Sequence, residues 1–201
     1  GVLFRDAFLL RRYTLDAGVK LALKIGGSQA VRDIKESIVL GVDELVVPMI
    51  ESGFALRRFL ECIDQYYGQK TIALAMNIET CQAVQTLPSI LKEADGRVKR
   101  IVIGRTDLSA SMGVSDPDHE DILQQVNEVV SQRGDRRMDV ALGGGLSEES
   151  LRLIMKNHNL RRSIDYFETR NVIFRCKDVI QHPEAINAAL AWEQHWLAHR
   201  L

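Results

Sequence analysis

The feature that most constrains the fold of this chain is a regular alternation of short apolar runs with segments of helical period. Six runs rich in branched residues begin 23 to 38 positions apart, which is the length of a strand–helix unit. Because the runs are nearly continuously apolar, they indicate strands covered on both faces. The pattern predicts a parallel sheet, either an open doubly wound sheet or a (β/α)8 barrel. The runs cover residues 21–25, 44–50, 71–78, 101–104, 139–142 and 165–169.

The intervening segments carry helix signals. Ser28, Ser52 and Ser147 each precede an apolar stripe and are candidate N-caps, and Pro88 is expected to open a helical turn. No linker or low-complexity tract interrupts the chain. We therefore expect a single domain over residues 1–201.

Composition excludes several classes of protein. The 26 basic residues balance 27 acidic ones, so nothing favours nucleic acid or an anionic membrane as a partner. Three scattered cysteines fit neither a disulfide framework nor a metal spacing. The apolar runs are far shorter than the ~20 residues of a spanning helix. These features predict a soluble, cytoplasmic protein.

Polar or glycine-rich residues follow every predicted strand. In parallel α/β folds the carboxyl ends of the strands converge on one mouth, so these residues are expected to surround a single cavity. The strand ends carry the carboxylates Glu51, Glu79, Asp107 and Glu168, the cations Lys24, Arg105 and Arg170, and the triplet Gly143–Gly145.

The chemistry of these strand-end residues suggests a functional role for most of them. Glu79 and Asp107 are hard oxygen ligands for one Mg²⁺ or Mn²⁺, which would chelate a 2-oxo acid and stabilise an enolate. Arg105 and Lys24 are candidate catalytic cations that complement the substrate carboxylate. We assign substrate binding to four further positions. They are Gly143 and Gly144, as a backbone anion cradle, together with Arg170 and Glu51. Glu51 and Glu168 also remain candidate ligands, proton carriers or salt-bridge partners.

Three motifs in order carry a resemblance to a known family. They are GVDELVVPMIES at 41–52, NIET at 77–80 and GRTDLSASMG at 104–113. Together they resemble the strand-end motifs of the HpcH/HpaI aldolase and citrate lyase β-subunit family, of the phosphoenolpyruvate/pyruvate barrel superfamily, over residues 18–176. The resemblance implies a (β/α)8 barrel that makes or breaks a C–C bond beside a carboxylate or 2-oxo group with Mg²⁺ or a similar ion. It also implies that Glu79 and Asp107 bind the metal.

The chain departs from the family pattern in three respects. Lys24 stands where the family has a carboxylate-binding Arg, and the last motif reads Phe167-Glu-Thr-Arg170, so the substrate need not be a CoA thioester. A barrel needs eight strands and six are visible. Because residues 2–16 have helical periodicity, we expect one or two strands to precede Gly1, so that this is an N-terminally truncated barrel.

Other interpretations remain open at this point. Trp192 and Trp196 lie on an apolar stripe of the last helix, which predicts a contact in a homo-oligomer. His195 and His199 have the spacing of a zinc pair but lack the rest of the motif. Residues 115–120 fit a lid or a solvated loop. Rival functions are a phosphoenolpyruvate-type mutase, hydrolase or condensing enzyme, and a non-catalytic barrel subunit.

Overall fold

A curled seven-stranded sheet organises the protein, for which a computed structural model describes residues 4–198. The strands lie side by side in chain order, and the first six are parallel. All six predicted strands are present. Within residues 4–198 the sheet is an open half-barrel, so an α/β half-barrel is confirmed and a closed (β/α)8 barrel is not.

The elements alternate along the chain as predicted. The strands are Ala22–Lys24 (β1), Glu44–Val47 (β2), Ala73–Ile78 (β3), Arg100–Gly104 (β4), Asp139–Gly143 (β5), Tyr166–Glu168 (β6) and Ile173–Arg175 (β7). The helices are Phe4–Asp16 (α1), Val31–Leu40 (α2), Gly53–Tyr67 (α3), Cys81–Gln85 (α4), Leu87–Ala94 (α5), Arg105–Ser111 (α6), Glu120–Arg133 (α7), Glu148–Lys156 (α8), His158–Ser163 (α9), Cys176–Gln181 (α10) and Glu184–Ala198 (α11). Across residues 4–198, no helix combines the length and the apolar character that crossing a membrane requires.

Strand β7 is the element that the sequence interpretation missed. It pairs antiparallel with β6 across a tight turn in which the Thr169 amide donates to the Val172 carbonyl at 2.9 Å. A parallel neighbour needs a long crossover, whereas a short turn joins antiparallel strands directly. The strand–helix alternation predicts a helix after every strand, whereas β7 follows β6 directly as a hairpin partner.

Three of the four local helix signals identified in the sequence are confirmed. Ser52 accepts a hydrogen bond from the Ala55 amide at 3.1 Å and caps α3, while Ser147 caps α8 in the same way. Pro88 lies in the first turn of α5 as expected. The prediction for Ser28 was wrong. The Ala30 amide donates to the Gly27 carbonyl instead, and this turn delays the start of α2 to Val31.

The two faces of the sheet carry side chains of different size. The convex face packs large aliphatic side chains against the helices and forms the main core. The concave face carries a small cluster of Val46, Ala75, Val102 and Ala141, in which Val46 is the register partner of Ala75 and Val102 that of Ala141. On this side of the sheet a cavity lies at the carboxyl ends of the strands.

Candidate active site

A cavity of about 880 Å³ lies at the carboxyl ends of the strands. It is lined by residues from five separate strand ends and from α1, α2 and α11. The structure thus brings most of the predicted site residues to one place, as the topology requires. The predicted residues that line the cavity are Lys24, Glu79, Asp107, Gly144 and Arg170, and Asn77 and Glu168 join them.

Glu79 is held rigidly at the cavity floor. It is 1% exposed and directly follows β3. Its Oε1 accepts from the Met49 amide at 3.0 Å and its Oε2 from Asn77 Nδ2 at 2.8 Å. Lys24 Nζ lies 3.6 Å from the same Oε2. A buried carboxylate needs such partners, because its charge has lost the solvation of water.

The amide that binds Glu79 comes from an unusual backbone position. Met49 has a φ of 51°, in the left-handed region that residues other than glycine seldom adopt. This conformation directs the Met49 N–H toward the carboxylate. Strained backbone is most often found at functional sites.

Two glycines make room for two glutamates. Gly104 and Gly143 are register partners at the ends of β4 and β5. A Cβ atom on Gly104 would lie 2.7 Å from Glu79 Oε2, and one on Gly143 would lie 2.6 Å from Glu168 Cγ. The missing side chains therefore allow both glutamates to lie over the sheet, on opposite sides of the glycine pair.

Glu168 has the ionisation behaviour of a proton carrier. Burial raises its pKa from 4.5 to about 7, and the negative charge of Glu79 adds to this effect. Arg100 and Lys24 oppose it by favouring the charged form. The sequence identified Glu168 as a strand-end carboxylate, but nothing in the sequence indicated that the fold would place it against Gly143 in a half-buried position.

Asp107 completes the candidate metal site. It lies in the first turn of α6, is exposed, and lines the cavity with Glu79. Within residues 4–198 no group of three or more His, Cys, Asp or Glu residues could hold a metal. The donor set nevertheless fits Mg²⁺, which binds one or two carboxylates and takes its other ligands from water and substrate. The buried Asn77 Oδ1, which has no hydrogen-bond partner among residues 4–198, is a further hard oxygen beside Glu79.

Arg105 does not face the cavity. Its side chain is fully buried, its guanidinium is paired with Asp118, and its Nε donates to the Gly143 carbonyl at 3.2 Å. Burial lowers its pKa and the charge of Asp118 opposes this shift. The structure places Arg105 behind the cavity wall, where it ties neighbouring elements together, rather than where a substrate carboxylate would bind.

Glu51 and Gly143 also lie outside the lining of the cavity. Glu51 is exposed, and its Oε1 accepts from Thr80 Oγ1 at 2.8 Å. Gly143 supports the wall through its carbonyl and through its contact with Glu168. The predicted role of both residues in substrate binding has no direct counterpart in the geometry.

Arg170 stands at the rim of the cavity on the β6–β7 turn. This turn is fixed by a residue that the sequence did not suggest. Glu193 of α11 is 5% exposed, and its Oε1 accepts from Thr169 Oγ1 and from the Asn171 amide, each at 2.6 Å. In the sequence, this contact is indicated only by the presence of a glutamate, Glu193, after the largely apolar stretch of the last helix.

The last helix buries three side chains against the rest of the protein, those of Ile186, Ala189 and Glu193. Ala189 is buried, while Trp192 is 39% exposed and stacks on Trp196 with ring centroids 5.9 Å apart. The predicted homo-oligomer contact stays a prediction. Of the proposed zinc pair, His199 lies outside the described residues.

Comparison with known proteins gives a family match. The profile of the HpcH/HpaI aldolase/citrate lyase family matches residues 12–144, a segment that includes Lys24, Glu79 and Asp107. No curated protein matches the sequence.

Solved structures resemble the chain at low identity. An HpcH/HpaI aldolase/citrate lyase family protein from Burkholderia cenocepacia J2315 is 15% identical with a TM-score of 0.68, over 96% of this chain and 81% of that one. An HpcH/HpaI aldolase from Desulfitobacterium hafniense DCB-2 is 15% identical with a TM-score of 0.69, over 95% and 79%. The citrate synthase SbnG is 14% identical with a TM-score of 0.68, over 97% and 81%. At these identities the likeness concerns the fold alone.

Proposed function

The chain belongs to the HpcH/HpaI aldolase/citrate lyase family, and we propose that it is a metal-dependent aldolase or lyase for a small organic acid. Family membership supports aldolase or lyase chemistry in general terms. The proposal adds that the enzyme cleaves or forms a C–C bond beside a carboxylate or 2-oxo group, through an enolate.

One observation carries this proposal. Two carboxylates, Glu79 and Asp107, line one cavity together with the cation Lys24 and the proton-carrying group Glu168. Enolate chemistry on a 2-oxo acid requires a counter-charge for the developing oxyanion, an anchor for the carboxylate and a group that moves a proton. The cavity supplies a candidate for each requirement.

Glu79 and Asp107 would hold the metal. When bound, a divalent ion would supply the positive charge that stabilises the enolate oxygen. Glu79 is suited to this role because the Met49 amide and Asn77 fix its orientation before any ligand arrives. Asp107 is exposed and so remains accessible to an incoming ion.

Lys24 and Glu168 would act on the substrate. Lys24 is half-exposed at the end of β1 and offers a point charge to a substrate carboxylate. Glu168 exists in both protonation states near neutral pH, so its carboxyl group can accept a proton in one step and return it in another. Arg170 at the rim would attract a second anionic group of the substrate.

Calorimetric titration tests the metal site. We expect metal-stripped protein to bind Mg²⁺ and Mn²⁺, and to bind them more tightly with oxalate, a mimic of the enolate. Glu79→Gln should weaken the affinity by at least about tenfold, the lower end of the effects seen when even outer-shell residues are changed. Glu128→Gln, which alters an exposed carboxylate on α7, is the control and should bind normally.

Proton exchange tests the chemistry. We expect the methyl protons of pyruvate to exchange with deuterium oxide in the presence of protein and Mn²⁺, as followed by NMR. This reaction requires an enolate and does not require the second substrate. Metal binding without exchange would contradict the proposed activity.

A further inference from the structure

A buried cluster of polar residues stands directly behind the candidate metal site, and it is centred on Arg105. This residue begins α6, the helix that carries Asp107 two positions later. Its guanidinium pairs with Asp118 from the loop before α7, and its Nε donates to the Gly143 carbonyl at the end of β5. One side chain thus connects a helix, a strand and a loop.

Asp118 extends this cluster to a fourth element. Its Oδ1 accepts both from Arg105 and from Ser150 Oγ of α8, the latter at 2.8 Å. The Asp118 amide donates to Asp116 Oδ1 at 2.8 Å, which fixes the local turn. The loop is therefore anchored at Asp118, in contrast to the mobile lid considered from the sequence.

The charge of Arg105 makes this contact strong. The guanidinium is fully buried, and its Nη2 has no hydrogen-bond partner among the described residues. Asp118 is the carboxylate in direct contact with it, and Asp116 adds a weaker attraction. Removing one member of a buried ion pair costs far more than removing a surface pair, since an uncompensated charge stays behind. Loss of the Asp118 charge would therefore leave the Arg105 guanidinium, at the start of α6, without its ion-pair partner.

The glycine turn after β5 shows how tightly α6 is seated. A Cβ atom on Gly144 would overlap the backbone amides of Arg105 and Thr106, and one on Gly145 would lie 2.7 Å from Pro117 Cγ. The start of α6, the glycine turn and the loop are therefore in direct contact. A shift of any one of them would move the cavity wall.

We propose that Asp118 is a positioning residue that acts through Arg105 to hold the first turn of α6, and so keeps the Asp107 carboxylate in place at the cavity. The assignment of a metal to Asp107 rests on the proposed function. The mechanical link from Asp118 to α6 does not, and the experiment measures the two separately.

The test compares Asp118→Asn with Ser150→Ala. Asp118→Asn keeps the shape of the side chain and removes its charge, whereas Ser150→Ala removes the other partner of Asp118 and leaves the ion pair intact. Amide hydrogen exchange by mass spectrometry reports on residues 105–111, and the electron paramagnetic resonance signal of free Mn²⁺ reports the Kd.

We expect Asp118→Asn to speed amide exchange in α6 by about tenfold or more and to weaken Mn²⁺ binding by about tenfold, as changes behind a metal ligand typically do. Ser150→Ala should change both by less than about twofold. Asp118→Glu retains the charge and should recover most of the protection of α6 against amide exchange. If Asp118→Asn folds poorly, Asp118→Glu provides the test in its place.

Equal exchange in wild type and folded Asp118→Asn would overturn the proposal, as would equal effects of the two variants. A loss of thermal stability with unchanged Mn²⁺ affinity would also overturn it, since a purely structural residue behaves in that way. If the wild type binds no Mn²⁺, the proposed function fails, and the exchange data alone then decide the role of Asp118.

Discussion

The ammonium of Lys24 lies 3.6 Å from Oε2 of Glu79, so a half-exposed cation at the end of β1 meets a carboxylate that is almost completely buried. The pair spans two strand ends that are separated by β2 in the sheet. Lys24 balances the charge of Glu79 from the cavity side, while its exposed flank remains available to an anion. This relationship connects the candidate metal ligand with the candidate substrate anchor.

Replacing Lys24 by Met should impair substrate binding more than metal binding. A hydrogen bond to a charged group contributes about 1.5–3 kcal/mol, so we expect KM for a 2-oxo acid to rise by about tenfold or more. Lys24→Arg should recover much of the loss, since it restores a cation. Steady-state kinetics at saturating Mn²⁺ measure the effect, and an unchanged KM in Lys24→Met would argue against the anchor.

The two cavity glycines should have separable effects. In Gly104→Ala the new methyl group would displace the Glu79 carboxylate and so weaken Mn²⁺ binding, with about 1–3 kcal/mol of destabilisation from overpacking. In Gly143→Ala the methyl group would press on Glu168 and leave Glu79 free. Calorimetry of both variants checks this, and equal metal affinities would contradict it.

The stability of the protein should fall as pH rises through the titration range of Glu168. Below pH 4.5 the group is protonated in both the folded and the unfolded chain. Above that pH the unfolded chain loses the proton first, because the folded pKa is about 7. This difference removes roughly 3 kcal/mol of unfolding free energy between about pH 4.5 and 7.

Urea unfolding of wild type and Glu168→Gln at pH 5 and pH 8 measures this contribution. Glutamine cannot ionise, so the variant should gain stability relative to wild type as pH rises. If the two proteins differed in unfolding free energy by the same amount at both pH values, folding would not raise the pKa of Glu168, and the prediction would be wrong.

The pH dependence of the reaction rate should also report the ionisation of Glu168. If Glu168 transfers the proton, the logarithm of kcat/KM should bend near pH 7, where the folded-state pKa lies. Pyruvate deuterium exchange over pH 5–9 measures the profile. Glu168→Gln should reduce the rate by about 10²-fold or more and remove the bend. A bend that persists in the variant would belong to another group.

Helix capping offers a test that is independent of the site. Ser52→Ala removes the hydrogen bond to the Ala55 amide at the start of α3 and should cost about 1 kcal/mol of unfolding free energy. Ser115→Ala, at an exposed loop position, should stay within about 0.5 kcal/mol of wild type. Urea denaturation of both variants makes the comparison.

Sequence patterns predicted the strands well because burial on both faces leaves a local signature. The same reasoning found the caps at Ser52 and Ser147, where one side chain and a nearby amide decide the outcome. It failed at Ser28, because a competing turn at Gly27 lies within reach. It also missed β7, because this strand follows β6 through a short hairpin turn with no helix between them.

The sequence by itself determined the alternation of strands and helices, the family, and the set of strand-end residues from which a site could be built. Only the tertiary structure decided how each of these side chains is used. Arg105 turns inward because its partners, Asp118 and Gly143, lie in other elements, and the pKa of Glu168 is raised because the fold places its carboxyl group in a half-buried position against Gly143. The physical reason is the distance along the chain between the residues that produce each feature. Strand and cap signals come from neighbours in sequence, whereas burial, ionisation and charge pairing depend on residues that only the folded chain brings into contact.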